Sequence, residues 1–192
     1  MKKNPIKRFQ NSLKRAEKKG LLLPNAMALA TVSKDKTPSL RMMLLKNVDS
    51  RGFIFYTNLG SRKAKELSDN QNASITFWWP RLEEQVRVEG KIKAVSAKEA
   101  DAYFATRPRE SQISAWASRQ SSRLTSRAKL LKRVKTFKKK FKGVPVPRPS
   151  FWSGFILSPK KVEFWKEMPD RLHKRELYTR KGKHWAFQLL YP

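Results

Sequence analysis

Residues 107–123, RPRESQISAWASRQSSR, gather four arginines, five serines and two glutamines in one short stretch. Guanidinium groups present forked donors that match phosphate, and hydroxyls add neutral ones, so the segment is equipped to hold an anion. Tyr103 and Arg107 are four residues apart and share one helical face, with Ser111 just past the break at Pro108. A phenol, a guanidinium and a hydroxyl so placed can surround one phosphate. The stretch YTNLGSRKAKEL, 56–67, offers a second receptor. A strand ends at Tyr56–Thr57, Gly60 permits a sharp turn, and Ser61, Arg62 and Lys63 open a helix whose free N–H groups favour an anion.

Two further clusters are less decisive. RMMLLK places Arg41 and Lys46 five residues apart, on opposite faces of a continuous strand unless a bulge intervenes. FWKEMPDRLHKREL holds Trp165, Arg171, His173 and Arg175, and the last three would share one face if the segment were a strand. Plain readings stand beside each: sheet-surface charges, a simple Ser61 cap, a serine-rich loop, a structural histidine.

Composition narrows the chemistry. The 192 residues suit one domain with a core of its own. No cysteine is present and there are only two histidines, which excludes disulfides, thiolate metal sites and a cysteine nucleophile, and leaves no histidine-rich metal centre. GxGxxG, GKS/T, HExxH and GxSxG signatures are absent. The basic start leads into no apolar signal region, and LLLPNAMALATV is too short to span a bilayer, so the expectation is a soluble, cytoplasmic protein. A formal charge of +29 favours polyanions through a salt-sensitive, sequence-independent attraction. Nonspecific nucleic-acid binding is therefore one reading, and solvated helix faces are the plainer one.

The elements that must position these groups are legible from periodicity. Ile6, Phe9, Leu13 and Ala16 mark an amphipathic helix capped at Asn4, within an N-terminal segment 1–20 that precedes a single domain over 21–192. AMALATVS, SLRMMLLKNV, FIFYTN and ASITFWW read as strands, and QVRVEGKIKAV alternates apolar with charged residues, as an antiparallel strand with one wet face does. Ser61 begins a short helix through Leu67, and Ser96 with Glu99 begins another that runs to Pro108. Leu130, Leu131, Val134, Phe137 and Phe141 mark a third, closed by Gly143. LYTRKGKHWAFQLLY reads as a hairpin turning at Lys181–Gly182. The fold class is mainly β or α+β, a barrel of antiparallel strands with flanking helices.

In order along the chain, RMMLLK, FYTNLGSRKAKEL, EQVRVEG, YFATRPRESQISAWASRQSSR, PSFWSGF and EFWKEMPDRLHKREL resemble the pyridoxine/pyridoxamine 5′-phosphate oxidase family. The resemblance runs from about residue 26 to the end. It implies an FMN-binding split β-barrel that forms a homodimer with the cofactor at the interface. It also implies oxidation of pyridoxine or pyridoxamine 5′-phosphate at C4′, with hydride passing to flavin N5 and dioxygen giving hydrogen peroxide. By matching position, Arg41 and Lys63 hold the FMN phosphate, helped by Arg62 and Ser121, and Ser61 at the helix N-terminus is counted with them as cofactor-binding. Tyr56, Thr57, Gln85, Gln120, Trp165 and Arg175 contact the flavin, and Lys46 touches flavin and substrate. Tyr103, Arg107 and Ser111, with Lys46, grip the substrate phosphate, while Arg171 and His173 lie against the pyridine ring and carry catalysis. Alternatives are a related flavin oxidase of the phenazine-biosynthesis type and a basic nucleic-acid-binding protein.

Three departures from the family pattern stand out. The family usually has a longer N-terminal segment that helps cover the substrate, EMPD replaces a glycine-containing stretch before RLH, and FQLLYP lacks a late arginine. The first bears on lid closure and substrate affinity, and the other two on catalytic efficiency more than on cofactor binding.

Overall fold

The computed structural model describes residues 4–192; residues 1–3 of the N-terminal basic block lie outside the described residues. Helix α1, Pro5–Lys18, starts where the Asn4 side chain accepts from the Ile6 N–H at 2.9 Å. Its Ile6, Phe9 and Ala16 are buried, as their three- and four-residue spacing requires. Phe9 is fully buried and its ring lies 4.8 Å from those of both Phe53 and Phe77, so α1 plugs the core of the strands.

The strands are β1 (Ala26–Val32), β2 (Pro38–Leu44), β3 (Asn47–Asp49), β4 (Gly52–Asn58), β5 (Asn72–Trp79), β6 (Glu84–Ala94), β7 (Trp152–Lys166), β8 (Lys174–Lys181) and β9 (His184–Leu190). Every pairing is antiparallel, in the order β2-β1-β5-β6-β7-β4-β3, with β8 and β9 continuing from β7. The two ends of that path, β2 and β3, are joined by only Leu45 and Lys46. Leu45 donates to the Asn25 carbonyl at 2.9 Å and Lys46 to that of Ile54 at 2.8 Å, so the linker knits both edges and the sheet curls into a barrel. The barrel interior holds Met27, Leu29, Ile75, Phe77, Val86, Val88 and Leu157, the inward set of each alternating strand.

β7 is the spine. It pairs with β6 along its length, with β4 at its first half and with β8 at its second. The handover falls at Ser158–Pro159, where a bulge follows Glu89. A Cβ at Gly90 would sit 2.1 Å from the Ser158 carbonyl oxygen, so only glycine allows that close approach.

Helices α2 (Arg62–Asp69), α3 (Ala97–Ala105), α4 (Arg109–Ala117) and α5 (Arg127–Lys140) flank the barrel. Four local expectations need correction. Residues 109–117 form α4 where a break and loop were expected, since Ile113 and Ala117 gain burial that their weak periodicity does not announce. The strand bearing Arg41 stops at Leu44, so the parity argument separating it from Lys46 does not apply. Arg171 sits in a 3-10 turn at Pro169–Arg171 and β8 begins only at Lys174, so Arg171, His173 and Arg175 do not alternate along one strand. The last hairpin pairs Lys181 with His184 and turns at Gly182–Lys183, one residue later than expected.

Candidate functional site

The first cluster lies where β1, β2, β4 and α2 meet. Lys63 is buried, and its Nζ donates to Thr57 Oγ1 at 3.2 Å and Ser61 Oγ at 3.3 Å. Burial, reinforced by the nearby Arg41 charge, pushes the Lys63 ammonium below the usual lysine range, against a smaller upward pull from Glu66. Ser61 stands at the N-terminus of α2 as its sequence suggests, but makes no capping bond; its hydroxyl faces Lys63 instead. Arg41 reaches across the β1–β2 hairpin to the Leu29 carbonyl, Thr31, Ser39 and Glu66. Arg62 donates to the other Glu66 oxygen at 2.7 Å.

The second cluster is a cavity of about 420 Å³ lined by Tyr56, Thr57, Arg107, Ser111, Gln120 and Trp152, among others. Thr57 bridges it to the first cluster, donating to Gln120 Oε1 at 3.4 Å. Tyr56, Tyr103 and Trp152 form a nearly parallel ring stack, which buries the Tyr56 phenol and pushes it up to about 12. The Arg107 guanidinium lies 4.8 Å from the Trp152 ring centre, and its Nη1 is buried with no hydrogen-bond partner among the described residues. Burial lowers its proton affinity. A buried, unpaired guanidinium nitrogen is costly, and an anion in the adjoining cavity would relieve it. Ser121, with φ of 67°, turns the chain beyond α4 and lines the neighbouring cavity of about 730 Å³ together with Arg62 and Glu66.

The third cluster sits at the far end of β7. Gln85 is in register with Trp78 on one side and Trp165 on the other, and Trp165 is in turn paired with Arg175. The His173 ring packs 4.6 Å from that of Trp165, and its Nδ1 accepts from the Met168 N–H at 3.3 Å. Arg175 donates to buried Glu163 at 2.8 Å and Arg87 holds the other oxygen, which keeps that carboxyl ionised despite its burial. Arg171 and Lys46 are exposed. Arg171 makes no side-chain hydrogen bond among the described residues, and both it and Asp170 have positive φ, 60° and 56°.

The structure thus brings Arg41, Thr57, Ser61, Arg62, Lys63 and Gln120 together, and places Tyr56, Tyr103, Arg107 and Ser111 beside them. Gln85, Trp165, Arg171, His173 and Arg175 lie elsewhere in the protomer. Sequence reading missed Glu66, Thr31, Ser39, Trp152 and Glu163. Only Glu66 carried a local signal, its four-residue offset from Arg62; the others depend on strand register. Among the described residues no group of three or more acidic or histidine side chains could hold a metal, and no helix is long and apolar enough to cross a membrane.

Comparison with known proteins decides the family. Residues 13–141 match the model described as pyridoxamine 5′-phosphate oxidase, and 152–192 match the pyridoxine 5′-phosphate oxidase C-terminal dimerisation region. The chain belongs to the pyridoxamine 5′-phosphate oxidase family.

Within this oxidase family, the pyridoxine/pyridoxamine 5′-phosphate oxidase of Rubrobacter xylanophilus is 49% identical over 98% of this chain and 87% of its own. That of Gluconobacter oxydans is 48% identical over 100% of this chain and 96% of its own. PhzG from Burkholderia lata 383, solved in complex with tetrahydrophenazine-1-carboxylic acid, superposes with a TM-score of 0.94 at 32% identity, over 98% of this chain and 93% of that one. A pyridoxamine 5′-phosphate oxidase-related, FMN-binding protein from Nostoc punctiforme shares the split-barrel fold, with a TM-score of 0.81 at 17% identity over 100% of both chains. The oxidase dimerisation region that this chain carries implies a homodimer.

Proposed function

We propose that this chain is an FMN-dependent oxidase that converts pyridoxine 5′-phosphate or pyridoxamine 5′-phosphate to pyridoxal 5′-phosphate, working as a cytoplasmic homodimer. The observation that carries the reading is Arg107, whose buried, unpartnered Nη1 borders a cavity shared with Ser111 and with Thr57 and Gln120 of the cofactor cluster. Two anion receptors therefore adjoin, one for each phosphate of a cofactor–substrate pair.

The donor set fits FMN. Arg41, Ser61, Arg62, Lys63 and Ser121 would hold its phosphate, and Tyr56, Thr57, Gln85, Gln120, Trp165 and Arg175 would meet the flavin. The chemistry that bound FMN would supply is acceptance of a hydride from C4′ of the substrate and its delivery, with a proton that the substrate releases, to dioxygen, which leaves as hydrogen peroxide; the imine from an amine substrate is then hydrolysed by water with release of ammonia. Tyr103, Arg107 and Ser111 would clamp the substrate phosphate with Lys46, fixing the reacting carbon in place. Arg171 would lie against the pyridine ring and oppose negative charge developing there, with His173 beside it. The Met168 N–H occupies His173 Nδ1, which leaves Nε2 to face the substrate.

A second copy of the chain completes this site. Trp152 and Trp165 stand thirteen residues apart on β7, roughly 40 Å of strand at about 3.3 Å per residue. The Trp165–His173–Arg175 cluster would then serve the cavity of the partner rather than its own. Leu40, Met42 and Leu44 form an exposed apolar stripe on β2, opposite Ala30, Ala28 and Ala26, and Trp78 is 49% exposed on β5. An apolar patch of this kind marks an interface. We take residues 21–192 as one oxidase unit, with α1 packed into it. The basic face of α5 adds at most nonspecific, salt-dependent binding of polyanions.

Likeness to PhzG raises a tetrahydrophenazine-type substrate as the second reading. Anaerobic addition of pyridoxine 5′-phosphate to the purified yellow protein tests both. Bleaching of bound flavin by the phosphorylated vitamer and not by pyridoxine supports the proposal. Retained colour with pyridoxine 5′-phosphate overturns it.

A further inference from the structure

Glu66 lies in the second turn of α2 and is only 5% exposed, yet no assigned role explains a carboxylate there. One of its oxygens accepts from Thr31, from Ser39 at 2.6 Å and from Arg41 at 3.1 Å; the other accepts from Arg62 at 2.7 Å. We infer that Glu66 is a positioning residue for the cofactor phosphate: it holds the Arg41 and Arg62 guanidinium groups ready on one carboxylate and sets the charge of the receptor they form with Lys63. This inference rests on the FMN reading above and goes beyond it, because Glu66 itself would repel a phosphate.

Three physical points support it. Arg41 comes from β2 and Arg62 from α2, so two long side chains on different elements must be held in one place, and ordering them beforehand removes entropy that binding would otherwise lose. Three cations against one carboxylate leave two net positive charges, which matches a phosphate monoester of about −2. Without Glu66, burial and Arg41 would both act against the Lys63 ammonium with nothing opposing them, since Glu66 is the one group raising it. The Glu66 carboxylate meets the requirement of remaining ionised: burial pushes it up, but the bonds from Ser39, Thr31, Arg62 and Arg41 outweigh burial and bring it down to about 2.

The alternative is a strut that only ties α2 to the β1–β2 hairpin. Titration of the deflavinated full-length protein with FMN and with riboflavin, which lacks the phosphate, separates the two. In Glu66→Gln, isosteric and expected to fold, and in Glu66→Ala, FMN affinity should fall about ten- to hundredfold while riboflavin affinity holds, so the preference for FMN collapses. An equal loss for both ligands would show a strut, and an unchanged or stronger preference for FMN would show that Glu66 only repels; either overturns the inference. If the wild-type protein itself did not prefer FMN over riboflavin, the cofactor reading would fail first and this inference with it.

Discussion

Tyr56 and Tyr103 lie face to face, ring centres 4.0 Å apart and planes 13° from parallel. Tyr56 comes from strand β4, where it lines the cavity, and Tyr103 from helix α3, so this contact ties the helix to the cavity wall. Tyr103 therefore has two separable parts, a ring that packs and a hydroxyl proposed to grip the substrate phosphate.

Tyr103→Phe keeps the stack and removes only the hydroxyl. The KM for pyridoxine 5′-phosphate should rise about tenfold or more, with melting temperature and flavin content unchanged. Tyr103→Ala should lose the stack too and melt earlier. Steady-state kinetics and thermal melts on the two variants check this. Equal KM values for Tyr103→Phe and wild type would remove the hydroxyl from the grip.

With Lys63 proposed to hold the FMN phosphate, cofactor binding should be sensitive to alkali. Its proton affinity is lowered, so as pH rises the ammonium is lost before an ordinary lysine at about 10.4 would lose its own. FMN affinity should fall through that window while riboflavin affinity follows only the flavin's own ionisation. The apoprotein responds with the opposite sign. There the unfolded chain binds the extra proton, so the Lys63 contribution to stability grows as pH rises from the lowered value towards about 10.4. In Lys63→Met the phosphate-dependent fall should vanish, as measured by fluorescence titration across pH.

Asp170 and Arg171 are consecutive residues with φ of 56° and 60°. Left-handed backbone costs an L-residue roughly 1–2 kcal/mol, less for aspartate, and nothing comparable for glycine. Asp170→Gly should stabilise the protein by about 1 kcal/mol with unchanged flavin content. Chemical denaturation provides the measurement, and a loss of stability would mean that the Asp170 side chain makes a contact in the dimer.

Arg171 is the proposed charge stabiliser and touches no phosphate cluster. Arg171→Ala should lower kcat roughly hundredfold or more while flavin remains bound. Near-normal turnover would remove it from catalysis; loss of flavin would make it a cofactor ligand instead.

Local spacing announced most of the scaffold. The alternation in β6 and the helical spacing of Ile6, Phe9 and Ala16 appear in the structure as read, because burying one face of an element leaves a period of its own. Helix α4 was not legible, since Ser111, Gln112 and Ser114 interrupt its apolar residues and leave no clear period, and its stability comes from packing with α5 and β7. The Arg171–His173–Arg175 spacing misled for a related reason: the chain turns at Pro169 before β8 begins, and spacing along a turn says nothing about shared faces.

By itself, the sequence determined the class of chemistry. Clustered arginine, lysine and hydroxyl side chains with no cysteine imply anion binding without thiolate chemistry, whatever the fold. Tertiary structure alone decided which cations meet. Arg41 and Arg62 converge on Glu66 because strand register sets Thr31 opposite Ser39 and α2 packs over that hairpin. Register and packing are properties of distant segments brought together by a shared core, and no spacing along the chain encodes them directly.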